Sequence, residues 1–289
     1  MLKRVKTLLH RYDHTLVFAL ARRYVEDDLG SKAASLAYYF LFSVFPLLIL
    51  AASLIGRLQI EPDALAKACA GFLPASIIEM MTTYLAYIKQ SYNTTILIFS
   101  LVFSVYFPFR AIKELMQDVR ASFRQPDRTR PKTYILRQLL CTVLMPATLF
   151  FSLLLIVLGQ NVIEYFLHWF LPDTIHLSRF LLSLWQYARF VAAAGLMALS
   201  LGVLYAFSLD RVAPIRMIAP GIVFAILLWI ASSVCFSFYV ENYANYSLIY
   251  GTLGALIVLL LWLYLTSLIL ILGSELNAIR AQKKESRNQ

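Results

Sequence analysis

Read for apolar runs long enough to cross a bilayer, the chain divides into six: residues 33–56, 94–112, 137–160, 181–207, 217–240 and 248–273. A hydrocarbon core about 30 Å thick needs roughly 20 mostly apolar residues in a helix, and each run approaches or exceeds that length. Upstream, Leu2, Val5, Leu8, Leu9, Tyr12, Leu16, Ala19 and Leu20 recur at helical spacing, with Lys3, Lys6, Arg11, Arg22 and Arg23 placed elsewhere on the wheel. This predicts an amphipathic helix lying in the interface, apolar face down. Asp27, Asp28, Gly30 and Ser31 interrupt the period and predict a cap before the first span. That span begins late and follows a charged stretch, so it reads as an uncleaved anchor rather than a cleavable signal peptide. Between the first two spans, residues 64–73 and 77–88, parted by Pro74, are too short to cross and predict two short helices on the outer face.

The expected fold is an all-α integral membrane protein. A six-helix transmembrane bundle over 33–273 follows a cytoplasmic amphipathic arm at 1–32 and precedes a basic tail at 274–289. No internal repeat is visible, so the inverted-repeat architecture of many transporters is not expected.

Composition agrees with lipid as the solvent. Of 289 residues, 60% are apolar and only 15% charged, with a mean hydropathy of +0.70. A soluble chain is roughly 45–50% apolar even with glycine counted, and about 25% charged. An ordinary cytosolic enzyme, a disulfide scaffold and a disordered tail are all excluded.

The formal charge of +10 suggests nucleic acid until its placement is read. Seven lysines and arginines precede the first span, eight separate spans two and three, two separate spans four and five, and four follow span six. The alternate segments hold three, one and none, and Arg189 lies inside span four. Twenty-one against four places both termini in the cytoplasm by the positive-inside rule. The surplus is then an orientation signal and an attraction to anionic headgroups, so membrane lipids rather than nucleic acid are the expected partners. A homo-oligomer is compatible with this pattern.

Cys69, Cys141 and Cys235 have neither CxxC nor Cys/His metal spacing and read as small apolar residues. On the topology above, His10 and His14 lie inside whereas His168 and His176 lie outside, so they cannot share one site. No metal, cofactor or catalytic residue is predicted.

Two stretches carry a more specific pattern. The first is Ala33-Ala34-Ser35-Leu36-Ala37-Tyr38-Tyr39 running to Ser43-Val44-Phe45-Pro46. The second begins at Pro220-Gly221 and passes Trp229, Phe236-Ser237, Tyr239, Tyr246 and Tyr250-Gly251-Thr252-Leu253-Gly254. It ends with Trp262-Leu263-Tyr264 and Gly273-Ser274-Glu275-Leu276-Asn277. Together they resemble the YihY/BrkB family of bacterial inner-membrane proteins, in length and span order over nearly the whole chain. Ser247 stands where that family often has Asn, and Ser274 where it often has Ala. The resemblance implies a six-helix membrane protein. The family has been labelled ribonuclease BN and a virulence or serum-resistance factor, and transport has been suggested for it. Metal-assisted phosphodiester cleavage wants clustered carboxylates or histidines. The sequence has no DxD, HxH or HD pair, and ribonuclease activity is not expected.

Ionisable groups at membrane depth are costly and are functional candidates by default. Arg189 is the clearest, with Glu241 or Glu164 as its prospective partner; the bland alternative is a structural ion pair or a snorkelling arginine. Glu275 and Glu114, at the inner ends of spans six and two near Arg110, Lys113 and Arg280, are candidates for proton exchange or for salt bridges of small net value. Pro46, with Ser43 one turn before it, marks a candidate helix break lining a cavity. Ala33 with Ala37, and Gly251 and Gly254 in the C-terminal motif, are candidate close-packing positions. The expected function is that of a transporter or permease moving a small ion or amphiphile through a polar cavity using Arg189, Glu241 and Glu275. The competing expectation is a non-transporting membrane protein that binds lipid or a protein partner and supports envelope integrity.

Overall fold

A computed structural model of the chain describes residues 16–57, 94–125, 131–170, 175–242 and 252–288. All regular structure among them is helical: α1 (Leu16–Glu26), α2 (Leu29–Arg57), α3 (Thr94–Ser122), α4 (Pro131–Phe170), α5 (Ile175–Ser208), α6 (Ile215–Asn242) and α7 (Thr252–Asn288). Residues 2–15 of the arm, the outer segments at 64–73 and 77–88, and Gly251 lie outside the described residues.

Among the described residues, five stretches are long and apolar enough to cross a membrane: Leu29–Leu50, Lys132–Ser152, Ala188–Ser208, Ile215–Val240 and Leu256–Lys284. Their outward faces carry many exposed apolar side chains. Val143 and Val191 are 71% and 73% exposed, and Leu136, Leu227 and Val234 are similarly bare. A surface of this kind has lipid as its natural solvent. At 1.5 Å per residue, the 40 residues of α4 and the 37 of α7 overrun a hydrocarbon core.

The α1–α2 junction falls at Asp27–Asp28, as the interruption in the period predicts. Asp28 takes a left-handed φ of 49°, which a short polar side chain tolerates better than most. Gly30 and Ser31 belong to α2, four residues earlier than the apolar run suggests. The α3 end is closed by a Schellman pattern: Gln125 N–H donates to the Arg120 carbonyl at 3.3 Å, around Arg124 at φ 51°. Helix α2 runs unbroken through Pro46, α3 through Pro108, α4 through Pro146 and α6 through Pro220. The helix break expected at Ser43–Pro46 is therefore absent: the proline is accommodated within a continuous helix, with Ser43 buried beside it.

Two compact units are distinguished. One contains the residues up to Phe42, Phe107–Val143 and those from Ala198 onward; the other contains Ser43–Tyr106 and Leu144–Met197. In the first, Leu36, Ala111, Leu115, Met116, Leu204 and Ile271 are fully buried. In the second, Ser152 Oγ on α4 donates to the Ala193 carbonyl on α5 at 3.4 Å. Ser100 and Ser104 return their hydroxyls to carbonyls three residues back on α3.

Candidate functional site

Helices α6 and α7 meet through residues without side chains. A Cβ on Gly221 would collide with the Gly273 carbonyl and the Asn277 side chain, and one on Gly273 would stand 2.5 Å from Tyr205 Oη. Small residues let backbones approach where lipid supplies no hydrophobic drive between helices. The contact also repairs α6 around Pro220, whose ring disturbs the preceding turn. Asn277 Oδ1 accepts from Gly221 N–H at 2.7 Å, while its Nδ2 donates to the Ile218 carbonyl at 2.9 Å. Tyr205 Oη donates to the Leu270 carbonyl at 2.6 Å. Further along the seam, Trp229 Nε1 donates to Thr266 Oγ1, and the rings of Trp229 and Phe236 lie 5.7 and 5.1 Å from that of Trp262.

One turn from this seam Glu275 is wholly buried. Its partner is Arg23 of α1, whose Nη1 donates to Glu275 Oε2 at 2.5 Å and to the Ser122 carbonyl at 2.9 Å. Arg23 Nη2 donates to Gln282 Oε1 at 2.7 Å. Ser122 and Ser274 share a hydroxyl contact at 3.0 Å. Thus α1, the end of α3 and α7 converge on one guanidinium and one carboxylate. Glu275 Oε1, also buried, has no hydrogen-bond partner among the described residues. A buried charge satisfied on one oxygen only is an expensive arrangement.

Asp118, on α3 beyond residue 112 where the apolar run ends, faces the same place. Burial pushes its carboxyl up to about 6; Lys32 draws it down, and Glu114 and Glu275 raise it further. Glu114 itself lies 3.8 Å from Arg110, both about one-third exposed, a pairing of small net value. Arg110 also donates to Tyr39 Oη at 3.2 Å, tying α2 to α3.

The turn between α5 and α6 is pinned from beneath. Arg120, buried, pairs with Asp210; Asp210 N–H donates to Gln125 Oε1 at 3.2 Å, and Arg137 Nη1 donates to the Leu209 carbonyl at 2.9 Å. Gln138 Nε2 reaches the Phe109 carbonyl at 2.9 Å, joining α4 to α3.

The chain matches the family model described as virulence factor BrkB over residues 20–289. The chain belongs to the BrkB family. Among its BrkB-like relatives, the ribonuclease-like protein YfkH of Bacillus subtilis is 29% identical over 92% of this chain and 95% of its own length. Two others are described as UPF0761 membrane proteins. That of Pseudomonas aeruginosa strain LESB58 is 28% identical over 89% of this chain, and that of Xanthomonas axonopodis pv. citri is 26% identical over 93%. The chain spans about 60% of the length of these longer relatives: 60% of the first and 62% of the second. No solved structure matches. BrkB membership and the apolar helices together make this a multi-pass membrane protein.

The C-terminal motif singled out from sequence coincides with the seam: Gly221, Trp229, Phe236, Trp262, Gly273 and Asn277 are its interlocking parts. Of the residues singled out from sequence, Glu275 occupies the centre and Glu114 the periphery. Gly254 is buried, and Ala33 and Ala37 are buried on α2. Arg189 belongs to the other unit, half-buried, its guanidinium 5.0 Å from the Phe190 ring. The side chains of Glu164 and Glu241 lie outside the described residues. The structure brings Arg23, not Arg280 or Lys113, to Glu275, and it adds Asp118, Ser122 and Gln282. A signal for Arg23 was present: Leu16, Leu20 and Arg23 fall at i, i+4 and i+7, on one helix face, so this arginine lies within the apolar stripe rather than opposite it.

Proposed function

We propose that this protein is a transporter or permease of the bacterial cytoplasmic membrane, moving a small ion or an amphiphile, with the Arg23–Glu275 pair holding its cytoplasmic end closed. The supporting observation is Glu275: fully buried, bound to Arg23 through one oxygen and left without a described partner on the other. An arriving cation competes with Arg23 for such a carboxylate and releases it. Asp118 beside it, with its carboxyl near 6, is suited to hand on a proton at cellular pH. On this reading α3 supplies a sixth crossing, both termini are cytoplasmic, and the protein is not an enzyme.

The second reading, a non-transporting protein that binds lipid or a partner, draws support from the backbone contact of Gly221 with Gly273, which suits a fixed seam. Reconstitution distinguishes the two. Vesicles of phosphatidylethanolamine and phosphatidylglycerol carrying the protein are expected to show saturable flux of an ion, or movement of a labelled lipid, when a pH gradient is imposed. Glu275→Gln is expected to alter that flux or lipid movement, and the same preparation is expected to leave RNA intact. No flux and no lipid movement across a broad panel would sink the transport reading and leave the second.

A further inference from the structure

Along the last turns of α5, Ala198, Gly202 and Ala206 recur every fourth residue and so line one helix face. With Phe207, Ala213 and Ile218 they bound an open groove of about 250 Å³. Its floor is closed by α6: a Cβ on Gly202 would stand 3.3 Å from Ile222 Cδ1. Every lining residue is apolar, and the rim residues Leu199 and Ile215 are well exposed. Open on one side and lined by apolar side chains only, the groove suits part of one acyl chain.

Arginines stand close to the groove, in space or in sequence. Arg137 places its guanidinium 5.7 Å from the ring of Phe207, which is a wall of the groove. Its Nη1 is fixed by the Leu209 carbonyl, while Nη2 makes no hydrogen bond to a described residue. Arg211 and Arg216, both exposed, flank the lining residues Ala213 and Ile215 in sequence. The only acid between residues 198 and 218 is Asp210, and its carboxylate is taken by Arg120. An apolar slot for a chain thus lies beside guanidinium groups, with the nearby Asp210 carboxylate engaged by Arg120.

We infer that this groove binds one anionic glycerophospholipid of the inner leaflet, an acyl chain lying along Ala198–Ala206 and the phosphate held by Arg137 and Arg216. The positive-inside placement of the 209–214 turn puts the arginines at headgroup level. The inference stands apart from transport: a fixed structural lipid and a carried one would use the same contacts.

The test uses the full chain in neutral detergent. Native mass spectrometry with phosphatidylglycerol, phosphatidylcholine or inorganic phosphate is expected to show about tenfold preferential retention of phosphatidylglycerol, and none of phosphate alone. Arg216→Gln, an exposed change that leaves the fold intact, is expected to cut that preference several-fold. Ala198→Phe is expected to reduce retention of both lipids by filling the slot. In the unaltered protein, a photoactivatable phosphatidylglycerol is expected to label peptides within 198–218. Equal retention of the two lipids, labelling spread evenly over the apolar surface, or loss of preference only on replacing Lys283 and Lys284 would overturn the inference.

Discussion

A methyl group at Gly221 would need the space of the Gly273 carbonyl and the Asn277 amide, and neither is the free end of a flexible chain. Gly221→Ala is therefore expected to cost about 3 kcal/mol, the upper range of overpacking, read as a lower Tm of the purified protein. Gly202→Ala, which meets only a mobile Ile222 methyl, is the contrasting control and should be close to neutral. Asp118 carries a prediction of opposite sign. Its folded carboxyl, near 6, lies above the 3.8 of an unperturbed aspartate, so the folded state holds the proton more tightly than the unfolded one. Stability from this group is complete below pH 4 and is lost as pH rises through 6. Asp118→Asn is expected to match the parent at pH 4. At pH 7.5 it should exceed it by on the order of 2 kcal/mol, after allowance for partial exposure. A stability difference that does not change between those pH values would remove Asp118 from the argument. Neither residue was singled out for these roles from sequence. Gly221 was visible only as part of a motif, and the environment of Asp118 is made by Lys32 and Glu275 on other helices.

At the scale of elements, the helices were legible because lipid imposes long apolar runs. Their ends were less so. The run from 248 to 273 stops at the first polar cluster, yet α7 continues to Asn288 with Ser274, Glu275 and Asn277 buried. Polar residues there are partnered by other helices, and hydropathy is blind to partners. The sequence predicts an arm resting on a membrane surface. Within its described part, α1 presents Arg23 to α7 while Val17, Phe18, Tyr24 and Val25 stay exposed. Docking makes a distinct energetic prediction. Arg23→Ala would strand a buried carboxylate and is expected to cost 3–5 kcal/mol, whereas Arg23→Met combined with Glu275→Leu should recover most of that loss. If Arg23 merely lay at the interface, its removal would stay within about 0.5 kcal/mol, and a double-mutant cycle separates the two outcomes.

For the molecule as a whole, the uneven distribution of lysine and arginine remains the basis for orientation. In a background lacking Cys69, Cys141 and Cys235, a cysteine placed within 57–93 is expected to react with an impermeant thiol reagent added outside, and one at Arg124 is not; the reverse would overturn the topology. Several of the counted charges also have a second task. Arg23, Arg120 and Arg137 are engaged in buried or half-buried contacts, and no tally of basic residues separates such anchors from charges that merely face headgroups. Arg23 and Glu275 are 252 positions apart in the chain. Synthesis runs from the N-terminus, so α1 is made well before α7. The guanidinium on α1 therefore waits through the synthesis of every intervening helix before its carboxylate arrives on α7. A nascent chain stalled before α7 exposes an arginine with no counter-ion, a mark by which incomplete molecules differ chemically from finished ones.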